Sequence, residues 1–263
     1  MNAPQDPAAG QESAQPFVAP CRDLGPAAPL GWVRRGFADL RAAPRQSLTY
    51  GAVIVVISWL VTLEGLRFGS YWVVLTLLSG FVFVGPVLAL GLYSISRQLE
   101  RGERPSLTRC IREQRQRFGA VMVFALVLLV VFLVWARAGS MVHVFFPVEA
   151  HPDWRQLATF LSIGSAVGSI FALMTFAFSA FSLPMLLDRD VDAVTAVVTS
   201  VNAVLRNKKA MVTWVLLIAG SVIVGVATLL IGLAVTIPVI GHATWHAYRE
   251  TIDAEAWPRT GME

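Results

Sequence analysis

Read for alternation of apolar and polar positions, the chain falls into six apolar stretches separated by polar connectors. They lie at about 48–66, 71–95, 119–137, 157–187, 210–230 and 232–248. A helix crosses a hydrocarbon core of about 30 Å in about 20 residues, so each stretch predicts a membrane span, the sixth rather short. The last two are divided from one run, because residues 210 to 248 contain no Asp, Glu, Lys or Arg. As one helix that run extends about 58 Å, nearly twice the core, and a tight turn near Gly232 resolves the mismatch.

The connectors on one side carry a helical period of their own. Leu30, Val33, Phe37 and Leu40 precede the first span. Leu107, Cys110, Ile111, Gln114 and Phe118 recur within an Arg-rich connector that Pro105 starts. Val191, Val194, Val197, Val198, Val201, Val204 and Leu205 follow the fourth span, with Asp192, Asn202 and Arg206 at other positions. Each predicts an amphipathic helix, either in the inner-leaflet interface or packed on the ends of the bundle. The order of amphipathic helix, span and proline-containing span then occurs three times, over about 30–97, 105–188 and 190–249. Pro86, Pro184 and Pro238 mark the three copies, in Gly-Pro-Val-Leu, Leu-Pro-Met-Leu and Ile-Pro-Val-Ile. Proline frees a backbone carbonyl and allows a kink, which a membrane helix tolerates when neighbours satisfy the freed group.

Composition agrees with this pattern. The chain is 56% hydrophobic and 14% charged, against roughly 25% charged in a soluble domain, with mean hydropathy +0.63. The expected fold is an all-α polytopic membrane protein of six transmembrane helices in three helical-hairpin repeats. An outer-membrane barrel would show alternating strands of about ten residues, which are absent from the sequence. Residues 1–29 are rich in Pro, Ala, Gln and Gly and predict a disordered tail, without a signal peptide. Residues 30–252 form the membrane domain, and 253–263 a C-terminal tail.

Charge supplies an orientation. Of the 21 Lys and Arg residues, only Arg67, Arg137 and Arg155 fall on one side of the six spans. The others precede span one, separate spans two and three, or follow spans four and six. Both termini are therefore expected on the cytoplasmic side of the membrane. The basic pI near 9.5 then reflects orientation and contact with anionic lipid rather than nucleic acid. Two cysteines, Cys21 and Cys110, with no CxxC, exclude a disulfide framework.

One stretch, Ile237 to Glu250 (IPVIGHATWHAYRE), holds two of the four histidines, His242 and His246, on one helical face. Aligned on the repeat prolines, they correspond to Leu90 and Ser94 in the first copy and to Asp188 and Asp192 in the second. His242, His246, Asp188 and Asp192 therefore form a candidate set for a divalent metal, with a haem as the other cofactor the histidines suit. The competing reading is structural. Asp188, Asp190 and Asp192 stand where a helix begins and cap its N–H groups, while the histidines lie with Trp245 and Tyr248 at a bilayer interface. His143 and His151 are expected on the opposite face, in a 138–156 segment with Glu149, Asp153 and Trp154. Glu64 and Arg67 close span one and pair there. Ser79, Ser162, Ser165 and Ser169 are small residues for helix packing. No Gly-rich phosphate loop, HExxH or GxSxG occurs, so soluble-type enzyme chemistry is disfavoured.

The segment PVLALGLYSISRQLERGERPS (86–106) and the segment GHATWHAYR (241–249) resemble a family of predicted bacterial integral membrane proteins, domain of unknown function 2189. The resemblance runs over most of residues 30–252 and implies a membrane protein without an assigned activity. The functional expectation is a structural or accessory membrane protein that contacts lipid, a membrane-protein partner or a second copy. A small transporter or channel is the alternative, and a metal- or haem-binding protein the third.

Overall fold

The computed structural model describes residues 16–67, 83, 85–145 and 153–260. Among them are ten helices and no strand, only the isolated bridges Cys21 to Ile252 and Arg189 to Arg259. In order these are α1 (Ala28–Ala42), α2 (Pro44–Arg67), α3 (Leu90–Glu100), α4 (Leu107–Gln116) and α5 (Phe118–Phe145). They continue with α6 (Trp154–Ser179), α7 (Ser182–Asp188), α8 (Ala193–Arg206), α9 (Lys208–Ala227) and α10 (Leu233–Thr251).

The three amphipathic segments are α1, α4 and α8. Each passes into a long apolar helix through a single residue: Ala43, Arg117 or Asn207. At Ala43 the chain leaves helical geometry, and Pro44, which has no N–H to leave unpaired, opens α2. The hydrogen-bond ladder survives the bend, because Ala43 N–H donates to Asp39 O and Ser47 N–H donates to Ala43 O. Asn207 is bridged in the same way, from Ala203 O and to Met211 N–H.

Four helical stretches among the described residues are long and apolar enough to cross a membrane: Pro44–Arg67, Phe118–Met141, Trp154–Asp188 and Lys208–Ala227. Their outer faces are apolar and bare. On α5, Leu126, Leu129, Val130, Leu133 and Val134 are exposed, while Phe124, Leu128 and Val131 are buried. A helix that is apolar all round belongs in lipid. The span expected at 71–95 lies outside the described residues over 71–82 and at 84. From Gly85 it is helical, turns at Ala89 and continues as α3. The span expected at 232–248 is the helix α10, with Pro238 inside it. Thr236, His242, Thr244 and His246 interrupt its apolar character, and it is not among the four.

Helix α10 is nonetheless the centre of the described structure, packed by α1, α2, α3 and α9. Two glycines bring neighbours against its backbone. A Cβ on Gly36 would sit 2.5 Å from Val239 O, and one on Gly51 would sit 2.1 Å from Ala234 O. Only glycine permits that approach. On the other flank Trp32 of α1 meets Trp214 of α9 edge to face, with ring centroids 5.5 Å apart.

The amphipathic helices divide their faces differently from the valine and leucine pattern. Helix α8 packs through Ala193, Ala196, Thr199, Ser200 and Ala203, and leaves Val194 and Leu205 exposed. Helix α1 buries Trp32, Gly36 and Leu40 and exposes Leu30 and Phe37. On α8 the small residues let the helix approach protein, and the larger apolar Val194 and Leu205 point away from it.

The two expected tails are shorter than their composition suggests. Residues 18–25 lie across α8, the Asn207 joint and the end of α10, held by bonds from their backbone. Ala19 N–H donates to Thr199 Oγ1, Leu24 N–H to Asn207 Oδ1 and Arg22 N–H to Thr251 O. At the other terminus Trp257 is buried, Asp190 N–H donates to Pro258 O and Thr260 N–H donates to Asp188 O. A Pro-rich strap needs little apolar surface when its backbone finds acceptors and donors supplied from elsewhere, which composition does not reveal. Residues 1–15 and 261–263 lie outside the described residues.

Candidate functional site

The polar side chains of the membrane domain gather at the basic end of the bundle, where α1, α2, α3, α7 and α10 converge. His242 on α10 is fully buried. Its Nε2 lies 2.9 Å from Ser47 Oγ on α2, and its Nδ1 lies 2.8 Å from Ser96 Oγ on α3. Ser96 Oγ also lies 2.7 Å from Asp39 Oδ2 on α1.

Counting protons orients this chain of bonds. Asp39 as a carboxylate only accepts, so the single Ser96 hydroxyl proton goes to it. Ser96 Oγ must then accept from His242 Nδ1–H. His242 Nε2 is left bare and accepts from the Ser47 hydroxyl. His246, one turn further along α10, places Nε2 2.9 Å from the same Asp39 oxygen and donates to it. The seam thus runs Ser47, His242, Ser96, Asp39, His246 and ties four helices together. Its open end is at Asp39 and His246, whose side chains are 15% and 20% exposed.

A second group lies beside it. Asp188, at the end of α7, accepts from Tyr248 Oη at 3.0 Å and from Arg189 Nε at 3.1 Å. Arg249 reaches both ways, to Glu100 at 3.0 Å and to Asp188 at 3.7 Å. Trp245 Nε1 donates to the other Glu100 oxygen at 2.8 Å. A third group is centred on the buried Arg97 of α3. It pairs with Glu113 of α4 at 2.8 Å and donates to Leu187 O at 2.6 Å. Ser94 Oγ also donates to Glu113, and Gln98 Nε2 donates to Ser94 and contacts Cys110 Sγ. Burial pushes the Cys110 thiol up, and hydrogen bonding with Ser94 and Gln98 offsets only part of that shift.

Of the four residues selected from the sequence, the structure brings His242 and His246 together through Asp39. Asp188 is engaged by Tyr248 and the two arginines instead. Asp192 stands apart as the N-cap of α8, accepting from Val194 N–H at 2.9 Å and Thr195 N–H at 3.0 Å. Burial raises its pKa, but those bonds and the Thr195 hydroxyl outweigh burial and hold it below the usual carboxylate range. Among the described residues no group of three His, Cys, Asp or Glu side chains is placed to hold a metal. The side chain of His143, all of His151 and Glu149, and Ser79 lie outside the described residues.

Pro86 and Pro184 lie in the first turn of the helical segments that lead to Arg97 and Asp188, and Pro238 lies one turn before His242. Asp39, Ser47, Ser96, Glu100 and Glu113 escape a reading by motif, since each is an ordinary polar residue on an amphipathic or apolar helix. One signal did exist. The segments 86–106 and 241–249, which carry the family resemblance, meet here, through Ser96 to His242 and Glu100 to Trp245 and Arg249.

No curated protein and no solved structure matches the chain. Residues 73–188 match the family model described as predicted integral membrane protein, DUF2189, the family that the sequence resembles.

Proposed function

We propose that this integral membrane protein is a structural or accessory component of the bacterial inner membrane, with both termini cytoplasmic. In this reading it has six spans in three repeats, and α1, α4 and α8 lie along the cytoplasmic leaflet. The observation that carries it is the use made of the polar residues. His242, Ser47, Ser96, Arg97, Glu113 and Asp188 are buried and bonded within the protein, which fastens helices to one another. Arg34, Arg41 and Arg45 on α1 and α2, with Lys208 and Lys209 on α9, are exposed beside these fastenings and suit anionic headgroups.

The threefold reading is supported by recurring positions. Ser94, eight residues after Pro86, bonds Glu113, four residues before the Arg117 joint. His246, eight residues after Pro238, pairs with Asp39, four residues before the Ala43 joint. The first copy thus grips the second at the same register at which the third grips the first.

A small transporter or channel is the second reading. It is favoured by the unbroken hydrogen-bond sequence from Ser47 to the partly exposed His246, which suits passage of a proton. The metal- or haem-binding reading requires displacing a serine hydroxyl, because both His242 nitrogens are engaged. One purification separates the three. On the accessory reading, vesicles holding pure protein show no ion or proton flux above empty vesicles, and the protein retains a stoichiometric lipid or protein companion. Saturable flux abolished by His242→Ala overturns this in favour of transport. Stoichiometric metal, or a haem absorption band lost in the same variant, overturns it in favour of cofactor binding.

A further inference from the structure

We infer that the turn between α9 and α10 does not emerge from the membrane: its tip, Thr228 to Gly232, is seated among the acyl chains of the leaflet opposite Lys208. The sequence divides an apolar run there, but the depth of the turn comes from its neighbours.

Two rulers give that depth. Helices α2 and α10 pack antiparallel. Ser47 Oγ meets His242 near one end, Gly51 abuts the Ala234 backbone further along, and the Trp59 indole donates to the Leu229 carbonyl at 3.0 Å, which puts the turn beside Trp59. Beyond Trp59, α2 continues through Leu60 and Leu63, both exposed, before its first charge at Glu64. At about 1.5 Å per residue the turn stops about 8 Å short of Glu64 and about 12 Å short of Arg67. The second ruler is α9. Its first two turns lie within the layer of amphipathic helices, where Ala210, Met211 and Trp214 are buried and Trp214 meets Trp32 of α1. Residues 215–227 then extend only about 20 Å, less than a core of about 30 Å.

The turn is built for a medium without water. Every backbone N–H from Thr228 to Val235 has an acceptor inside the chain, including Leu230 to Gly225 O at 2.8 Å and Gly232 to Thr228 Oγ1 at 2.9 Å. The carbonyls of Thr228 through Gly232 all accept, and the Thr228 hydroxyl donates back to Val224 O. Irregular backbone survives against lipid only when satisfied in this way. The side chains fit the same medium. Leu229 is 73% exposed and Ile231 61% exposed. Leu229 and Leu230 hold positive φ, 55° and 69°, a region where an aqueous turn would place Gly or Asn. Two leucines there put apolar character before conformational ease. The inference stands whichever end of the bundle faces the cytoplasm; where it holds, α9 and α10 form a hairpin that enters the opposite leaflet, and the last two of the six expected spans do not cross fully.

The test places a nitroxide at single cysteines in the full chain, with Cys21→Ser and the buried Cys110 retained. Leu229→Cys, Ile231→Cys and Glu64→Cys are labelled in detergent and reconstituted, with the unsubstituted background as blank. Leu229 and Ile231 contact no core, so two independent positions report on a folded protein. At both, collision with molecular oxygen, which concentrates in hydrocarbon, exceeds collision with a water-soluble nickel chelate, and at Glu64 the order reverses. Nickel collision at Leu229 and Ile231 equal to that at Glu64 makes the turn an aqueous loop and overturns the inference. Exclusion of both reagents shows protein covering the tip, a second copy or a partner, and overturns it equally.

Discussion

Ser96 has one proton to give and Asp39 takes it, so the tautomer of His242 is set by a residue two bonds away. Removing the imidazole leaves the Ser47 and Ser96 hydroxyls facing a cavity. His242→Ala is therefore expected to cost about 1–3 kcal/mol, read as a lowered unfolding temperature in detergent. Burial ranks the ion pairs. Arg97 and Glu113 have side chains 4% and 9% exposed. Glu113→Ala strands the guanidinium and is expected to cost about 3–5 kcal/mol. The pair of Arg67 and Glu64, largely in the open, is worth at most about 1 kcal/mol, so Glu64→Ala is nearly silent in the same assay. Asp192 contributes through the α8 cap, and Asp192→Ala is expected to cost about 1 kcal/mol. Because its folded pKa is depressed, that contribution is present above the usual carboxylate range and fades as pH falls through the folded value. Asp192→Asn keeps the cap at neutral pH and loses the acid dependence, which denaturation at two pH values distinguishes.

Among elements, α10 holds its neighbours by backbone proximity as much as by side chains. Gly36→Ala and Gly51→Ala place a Cβ against the carbonyls of Val239 and Ala234, which belong to a helix and do not yield as a side chain would. Each is expected to cost about 1–3 kcal/mol and to displace α1 or α2 from α10. A pair of engineered cysteines across α2 and α10 would report that movement as slower crosslinking. The α9–α10 turn shows how medium competes with propensity. A left-handed leucine costs roughly 1–2 kcal/mol, and transferring a leucine side chain out of water returns roughly 1.5–3 kcal/mol. In lipid the balance favours Leu229 and Leu230, whereas in water Gly or Asn would be the better choice.

For the whole molecule, bare apolar flanks on α2, α5, α6 and α9 surround a polar, tightly bonded basic end. Polar groups distributed through the spans would face hydrocarbon, and gathering them at one end lets them satisfy one another or meet headgroups. On the proposed orientation, a reporter fused after Glu263 is expected to be active only in its cytoplasmic form. Activity of a periplasm-dependent reporter there reverses the orientation.

The sequence by itself determined the class. A 39-residue run without charge, amphipathic connectors and basic residues crowded beside the spans are local properties, and local periodicity follows from helix geometry alone. It also located the helices that became α1, α4 and α8, and singled out the histidine pair. Partners were decided only by tertiary structure. Asp39 and His246 are 207 residues apart, and Ser96 and His242 are 146 apart. No spacing rule spans such distances, and a proline-based alignment offered Asp188 and Asp192 where packing supplied Asp39. The tail segments follow the same logic. Residues 18–25 and 253–260 carry little apolar signal, yet backbone bonds to α7, α8, the Asn207 joint and the end of α10 give them fixed places. Periodicity reports which face a helix buries, whereas the identity of the group waiting opposite depends on how distant segments come together.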